Sequence, residues 1–171
     1  MKRIMILVSM AMFFGIFFVP GQAGAFNQAD LQKLLTTKSC TRCDLSNADL
    51  HGASLSHADL NGADLNGANL SGAYLNGANL PRAIMYRADL SQANLGGADL
   101  FKVDLSQANL GSAKLFGANL GSANLEGANL SGANLNGANL GGADLNGANL
   151  GGATWTDGSV CKQGSVGECK R

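Results

Sequence analysis

The chain has 171 residues, with twelve Lys and Arg against twelve Asp and Glu, and 6% of its residues are aromatic. A chain of this length predicts one domain. The balanced charge argues against a nucleic-acid binder or a membrane-surface protein. The low aromatic content argues against an ordinary globular core, but a solenoid can bury small side chains one coil at a time.

Residues 1–25 have the pattern of a secretory signal peptide. Lys2 and Arg3 form a positive start, an apolar run of sixteen residues interrupted only by Ser9 extends from Ile4 to Val19, and Ala23-Gly24-Ala25 matches a small-residue cleavage site. The apolar run is shorter than the ~20 residues of a membrane-spanning helix, so an uncleaved anchor is the less favoured alternative. We therefore expect an exported protein with no stable membrane span after cleavage. Its mature chain has ten basic and twelve acidic residues, a net charge of −2.

Residues 26–43 predict an N-terminal helical cap. Phe26 to Lys38 has leucines at helical spacing, Asn27 is a candidate N-cap, and Asp30 stands at the capping-box position. The leucines would turn one apolar stripe toward the first coil: Leu31, Leu34 and Leu35. A helix that docks a partner is the alternative function for this segment.

A C-x-x-C motif, Cys40-Thr41-Arg42-Cys43, follows the predicted helix. Such a motif can be a redox pair, a haem attachment or half of a zinc site. Asp44 rather than histidine comes next, which excludes haem attachment, and no βαβ pattern supports a thioredoxin-like site. Because Cys43 also occupies an inward position of the first repeat, we predict a structural role and disfavour catalytic redox chemistry.

Residues 44–153 repeat a five-residue unit twenty-two times. Every fifth residue from Leu45 to Leu150 is leucine, except Met85, and alanine stands two positions earlier, except at Cys43 and Val103. Asn or Asp precedes the leucine in eighteen repeats, and glycine stands two positions after it in thirteen. Glycine suits a tight corner because it tolerates unusual backbone angles.

A period of five fits neither a helix nor a straight strand. On a helix each leucine would be rotated by ~140° from the last, and on a strand successive leucines would face opposite sides. The chain must therefore turn once per repeat, with alanine and leucine facing inward as a stack. The stack includes Leu50, Leu70, Leu90, Leu110, Leu130 and Leu150. Residues before the leucines would face outward, so a change such as Asn109→Ser is expected to matter little.

The uninterrupted Ala-(Asn/Asp)-Leu-x-x pattern resembles the pentapeptide-repeat family over about two-thirds of the chain. The resemblance implies an all-β fold, a right-handed quadrilateral β-helix (a β-solenoid) with twenty residues per coil. Twenty-two repeats would then make about 5.5 coils, a rod ~26 Å long at ~4.8 Å between stacked strands. The segments around Cys40 and Cys43 and from Ala153 to Gly158 resemble exported bacterial members, notably those of cyanobacteria. The resemblance implies a periplasmic or thylakoid-lumen location and no settled biochemical activity.

Residues 154–171 break the repeat and predict a small disulfide-closed C-terminal cap. Trp155 stands where the next leucine would be, and Cys161 and Cys169 enclose a loop rich in Gly and Ser. A disulfide requires Cα atoms within ~7 Å of each other, and the rod separates the two cysteine pairs. We therefore expect local bridges, Cys40–Cys43 and Cys161–Cys169, formed in an oxidising compartment.

One region departs from the repeat at outward positions. At twenty residues per coil, Phe101 lies over Pro81 and Lys102 over Arg82, and further departures adjoin them. The candidate binding patch comprises Pro81, Arg82, Ile84, Tyr86, Arg87, Phe101 and Lys102. Three other departures are expected on a different side: Tyr74, Lys114 and Phe116. The alternative explanation for these departures from the repeat is neutral drift, because outward positions tolerate substitution.

The sequence suggests no catalytic or metal site and no cofactor. The two histidines, His51 and His57, fall on different sides of the coil and are expected to be solvated. Four aspartates would share one side, but Ile84 and Asn124 interrupt their column: Asp44, Asp64, Asp104 and Asp144. We therefore predict a protein that is not an enzyme.

Three functions remain, and an exported scaffold or protein-binding module is favoured. Its partner would be another protein or an envelope component, and an end-to-end dimer is possible. The first alternative is the DNA mimicry by which members of the family protect gyrase. Export and a net charge of only −4 over residues 45–150 disfavour it. The second is an ice-binding solenoid, disfavoured because no threonine occurs between Asp44 and Ala153.

Overall fold

The computed structural model describes residues 26–171, so the predicted signal peptide, residues 1–25, lies outside the described residues. One α-helix, α1, spans Gln28–Thr37. After it, the chain forms a β-helix whose strands are so short that neighbouring coils meet in single β-bridges. Within residues 26–171, no helix is long and apolar enough to cross a membrane.

Twenty residues make one coil. Every parallel bridge joins a residue to the one twenty positions later, from Ser39↔Asp59 to Asn134↔Thr154. The bridged residues are those that precede each leucine, and they form four columns, one on each side of the coil. We name the sides after one coil: the Asn79, Ile84, Asp89 and Asn94 sides.

Alanine and leucine of each repeat face the inside of the coil. Leu50 is 2% exposed, and the other five leucines of the predicted stack are fully buried. Met85 is also fully buried, Val103 is 1% exposed and Cys43 is 4% exposed, so all three exceptions to the repeat remain in the core. The buried apolar residues form one continuous cluster along the rod. Burial of a leucine contributes roughly 1.5–3 kcal/mol to stability, and each of the four sides of a coil buries one such residue.

Every repeat turns its corner through the same backbone conformation. The residue two after the leucine has a positive φ in all twenty-two repeats, from 55° at Ser122 to 72° at Gly142 and Gly152. Thirteen of these residues are glycine, as the sequence predicts for a tight corner. The other nine, which include Arg82 and Arg87, adopt the left-handed conformation despite carrying a side chain.

The Asn or Asp before each leucine holds the corner in place. In seventeen of the eighteen repeats that have Asn or Asp here, its Oδ1 accepts a hydrogen bond from the backbone N–H two residues later, as in Asp104 to Ser106 at 3.0 Å. Asn79 is the exception, because Pro81 has no N–H to donate. Asn and Asp side chains favour this local turn because they mimic a backbone acceptor. The preference for these two residues therefore has a structural cause, which the sequence pattern does not reveal.

Helix α1 packs against the first coil. The Asn27 side chain caps the helix by accepting from the N–H groups of Ala29 and Asp30, as predicted. The expected capping box does not form, because Asp30 Oδ2 instead accepts from the N–H of Asp44 at 2.9 Å. Leu31 and Leu34 are buried, whereas Leu35 is exposed. The apolar stripe is therefore narrower than the three leucines suggest.

The C-terminal tail folds back on two adjacent sides of the last coil. Val166 pairs with Asn149 and Val160 pairs with Thr154, both antiparallel. Trp155 is partly buried against the core. The other two sides of this coil, at Asn139 and Asp144, have no bridge beyond them within the described residues.

Candidate interaction surface

The residues of the candidate patch come together on the Ile84 side and at its two corners. The first corner is stacked directly: the N–H of Arg82 donates to the carbonyl of Phe101, 3.0 Å away in the next coil. The second corner holds Tyr86 and Arg87. Ile84 lies on the side between the corners and forms bridges to Asp64 and Asp104, one coil on either side.

The large side chains of the patch are exposed to solvent. Ile84 is 41% exposed, Phe101 is 37% and Tyr86 is 36%, whereas the leucines that follow the same turns are buried. The Phe101 ring projects toward the next coil, where an added Cβ at Gly121 would lie only 3.2 Å from its Cδ2. A glycine at position 121 therefore leaves room for the ring along the surface.

Two cations lie over aromatic rings of the patch. The Arg87 guanidinium carbon is 4.9 Å from the centre of the Tyr86 ring, and Lys102 Nζ is 5.2 Å from that of Phe101. Each contact joins neighbouring residues of one corner. A cation over an exposed ring is stabilised by ~0.5–1 kcal/mol, which favours one orientation of an otherwise mobile side chain.

The cations of the patch form no salt bridge with another residue of the described chain, residues 26–171. Over residues 26–171 the ion pair present is that of Arg171 with Asp157, at 2.8 Å near the C-terminus. Arg82, Arg87 and Lys102 therefore have no carboxylate within 4.0 Å. The patch combines unpaired positive charge with exposed apolar surface on a rod whose other sides are mainly Asn and Asp.

The other departures from the repeat lie elsewhere, as the spacing predicts. Tyr74 and Lys114 belong to the Asn94 side, opposite Ile84. Phe116 is exposed at a third corner, where its ring packs over Gly96. These residues provide a matched surface of similar composition away from the patch.

Among residues 26–171, one further cluster of possible ligand atoms lies beside helix α1. Asp30, Cys40 and Cys43 have ligand atoms within 4.8 Å of one another, but the two sulfurs form a disulfide and are not available as thiolates. The second predicted bridge, Cys161–Cys169, is also present. His51 is not simply solvated, because its Nδ1 lies 2.8 Å from Ser71 Oγ in the next coil.

Comparison with known proteins places the repeat in one family. Eight copies of the pentapeptide-repeat model match residues 43–82, 68–111, 83–121 and 113–152. Among curated proteins, no sequence matches the chain at a significant level.

Solved structures of three pentapeptide-repeat proteins are similar to the chain. HetL of the cyanobacterium Nostoc sp. strain PCC 7120, involved in regulation of heterocyst differentiation, is 37% identical, with a TM-score of 0.53. The match covers 71% of this chain and 61% of HetL. A protein of the Arabidopsis thaliana thylakoid lumen is 30% identical (TM-score 0.47), over 63% of this chain and 84% of its own. Rfr23 of the cyanobacterium Cyanothece 51142 is also 30% identical (TM-score 0.45), over 74% of this chain and 97% of its own.

Proposed function

The chain belongs to the pentapeptide-repeat family, and on that premise we propose that it is an exported scaffold that binds another protein through the candidate patch. Proteins of this family are generally scaffolds without catalytic activity. The rod would be a right-handed coil of about 5.5 turns, with α1 and the disulfide-closed tail at its ends.

The observation that carries this proposal is the unpaired charge of the patch. Arg82, Arg87 and Lys102 stand beside Phe101 and Tyr86, and no carboxylate of residues 26–171 lies within 4.0 Å of these cations. Arginine and tyrosine are enriched among binding hot spots, because they combine a large contact area with directed hydrogen bonds. Arginine can also bind a carboxylate through two parallel hydrogen bonds.

These properties define the partner by its chemistry. The matching surface would present carboxylates at the two corners and an apolar contact for Ile84 between them. Nucleic-acid mimicry receives no support from this surface, because a cationic patch is not what a DNA-binding site would accept. The acidic residues of the rod are spread over its length, with a net charge of only −4 over residues 45–150.

The proposed binding is tested by a triple variant, Arg82→Ala, Arg87→Ala and Phe101→Ala, used as bait for envelope proteins. A matched control changes Tyr74, Lys114 and Phe116 to alanine on other parts of the rod. We expect the patch variant to lose partners that the wild type and the control both retain. Both variants should remain folded by circular dichroism, since every altered side chain is on the surface. Equal recovery of partners by the two variants would show that the patch is neutral drift.

Export is tested separately by the intact mass of the native protein. Removal of the signal peptide should leave Phe26 as the first residue. Three features support export: the small-residue motif before Phe26, the apolar run of sixteen residues, and two disulfides, which persist in oxidising compartments. A native protein that retains Met1 would contradict this part of the proposal and leave the binding test unaffected.

A further inference from the structure

Half of the C-terminal end of the rod is an open β-edge. From Leu45 to Leu135, each leucine N–H donates to the next coil, as in Leu120 to Asn139 and Leu125 to Asp144. Among residues 26–171, the N–H groups of Leu140 and Leu145 have no such partner. In the preceding coil, the carbonyls of Ala118 and Ala123 accept hydrogen bonds from the N–H groups of Asn139 and Asp144. The corresponding carbonyls at the end of the rod, those of Ala138 and Ala143, accept no such bond within the described residues.

The core is incompletely covered at the same place. Leu140, Ala143 and Leu145 are only partly buried, although the leucines of the coil before them are fully buried. An apolar edge with unpaired N–H and C=O groups is a site where another strand can add. The two remaining sides are closed by the tail, which bonds to Leu150 through Ser165 and to Ala153 through Cys161.

The tail has unused hydrogen-bonding groups of its own. The tail bonds to the rod through the C=O of Ser159 and the N–H of Cys161, which flank Val160. It bonds likewise through the C=O of Ser165 and the N–H of Gly167, which flank Val166. In an antiparallel pair of this kind, the N–H and C=O of the residue in between point away from the coil. Neither group of Val160 or Val166 has a partner within the described residues, and both side chains are exposed.

The free groups of the tail match those of the open edge. Inside the rod, one residue such as Asp64 donates its N–H to the carbonyl of Cys43 and accepts at its own carbonyl from the N–H of Leu45. Val160 and Val166 each offer one such N–H and C=O pair. The open edge offers two places for such a pair: between Ala138 and Leu140, and between Ala143 and Leu145.

We propose that two copies of the chain join at their C-terminal ends, with each tail lying on the open half of the other copy. The two open sides are adjacent, and so are the two sides covered by the tail. The covered half of the end therefore extends one strand further along the rod than the open half. A two-fold axis perpendicular to the rod, along the diagonal between the halves, exchanges open and covered sides. It places Val160 of the second copy over Ala138 and Leu140, and Val166 of the second copy over Ala143 and Leu145.

The two tails would then form one complete coil between the rods. Under this symmetry the second copy's tail runs parallel to the open sides, as successive coils do throughout the protein. Each side gains two hydrogen bonds, and the Cys161–Cys169 disulfide of the second copy covers Leu140 and Leu145. A side of about four extended residues is only ~13 Å long, so the contact is small and the dimer should dissociate on dilution.

The test measures the mass of the purified protein by light scattering after gel filtration, from micromolar to millimolar concentration. We expect the wild type to shift from monomer to dimer. The double variant Val160→Pro, Val166→Pro removes both N–H donors, neither of which bonds to another of the described residues, and should weaken dimerisation at least about tenfold. The matched control Val160→Thr, Val166→Thr keeps the donors and the β-branched shape and should dimerise as the wild type does.

Hydrogen exchange provides a second measurement, which needs no variant. The amides of Leu140 and Leu145 should exchange more slowly as the wild-type concentration rises, while the amide of Leu150, already bonded to Ser165, should not change. A wild type that stays monomeric, with concentration-independent exchange at Leu140 and Leu145, would overturn the proposal. A proline variant that stays folded and dimerises like the wild type would overturn it as well. If the proline variant unfolds, the exchange measurement on the wild type decides.

Discussion

Asn109 Nδ2 donates a hydrogen bond to Oδ1 of Asp89, 3.1 Å away and one coil earlier. The same contact continues from Asn129 to Asn109 at 2.9 Å and from Asn149 to Asn129 at 3.3 Å. A second ladder of this kind runs from Asn139 through Asn119 to Asp99 on the opposite side of the coil. Because aspartate has acceptors and no donor, each ladder ends at an aspartate on its N-terminal side.

Replacement of Asn109 by alanine should therefore destabilise the rod. It removes the bonds to Asp89 and Asn129 and the turn bond from the N–H of Gly111. A net hydrogen bond contributes ~0.5–1.5 kcal/mol, so the loss of three predicts a decrease of roughly 1.5–4.5 kcal/mol in the unfolding free energy measured by urea titration.

Lys114→Ala is the matched control, because Lys114 also precedes a leucine but its side chain makes no hydrogen bond or ion pair with residues 26–171. Its effect should be within about 0.5 kcal/mol of zero. Equal effects of the two changes would show that the ladder contributes nothing. From the sequence pattern alone, a change at the outward position 109 is expected to have little effect on stability. The hydrogen bonds of Asn109 in the structure predict a larger loss of unfolding free energy.

A charge in the middle of the stack should unfold the neighbouring coils. Leu110 is fully buried, and an aspartate there would lose its hydration without gaining a partner. Leu110→Asp should cost at least ~4 kcal/mol, measured by thermal or urea unfolding. Leu140→Asp introduces the same side chain at the open end, where leucine is only partly buried, and should cost much less. A similar loss at the two positions would contradict the inward assignment of the stack.

The corner conformation predicts opposite effects for two substitutions. Arg82 has φ 58°, which disfavours any residue with a Cβ, so Arg82→Gly should stabilise the rod by ~0.5–1 kcal/mol. Gly97 has φ 65° and no atom within 4 Å of an added Cβ, so Gly97→Ala should destabilise it through the backbone alone. Thermal unfolding of both variants checks the sign. A destabilised Arg82→Gly variant would mean that the arginine has an intramolecular role.

Asp59 should make stability depend on acid pH. The hydrogen bond from the N–H of Asn61 lowers the pKa of this carboxyl below its ordinary value of 3.8; burial opposes this shift, and bonds from Thr41 and Asn79 add to it. A lowered pKa in the folded state favours folding above pH 3.8, and this contribution is lost as the pH falls through the folded pKa. NMR titration of the Asp59 carboxyl measures the pKa directly.

The same contribution should disappear in Asp59→Asn. Its unfolding free energy should fall less than that of the wild type as the pH is lowered below 3.8. A wild-type pKa at or above this value would contradict the proposed role of the three hydrogen bonds.

By itself, the sequence determined the period, the inward side and the positions that interrupt the pattern. A leucine at every fifth residue forces one turn per repeat, because no regular helix or strand would bring those leucines to one side. Local cysteine pairing followed as well, since a rod keeps its ends apart. The neighbours of Arg82 and Phe101 could also be predicted, because stacking at a fixed interval converts sequence separation directly into contact.

Only the tertiary structure decided how the polar groups are used. Asp30 bonds to Asp44 rather than to the N-terminus of its own helix, and Asn109 bonds along the rod rather than to solvent. The tail closes two sides of the last coil and leaves Leu140 and Leu145 at an open edge. These outcomes depend on which donor lies within ~3 Å of which acceptor, a distance set by packing between coils that a one-dimensional pattern does not contain.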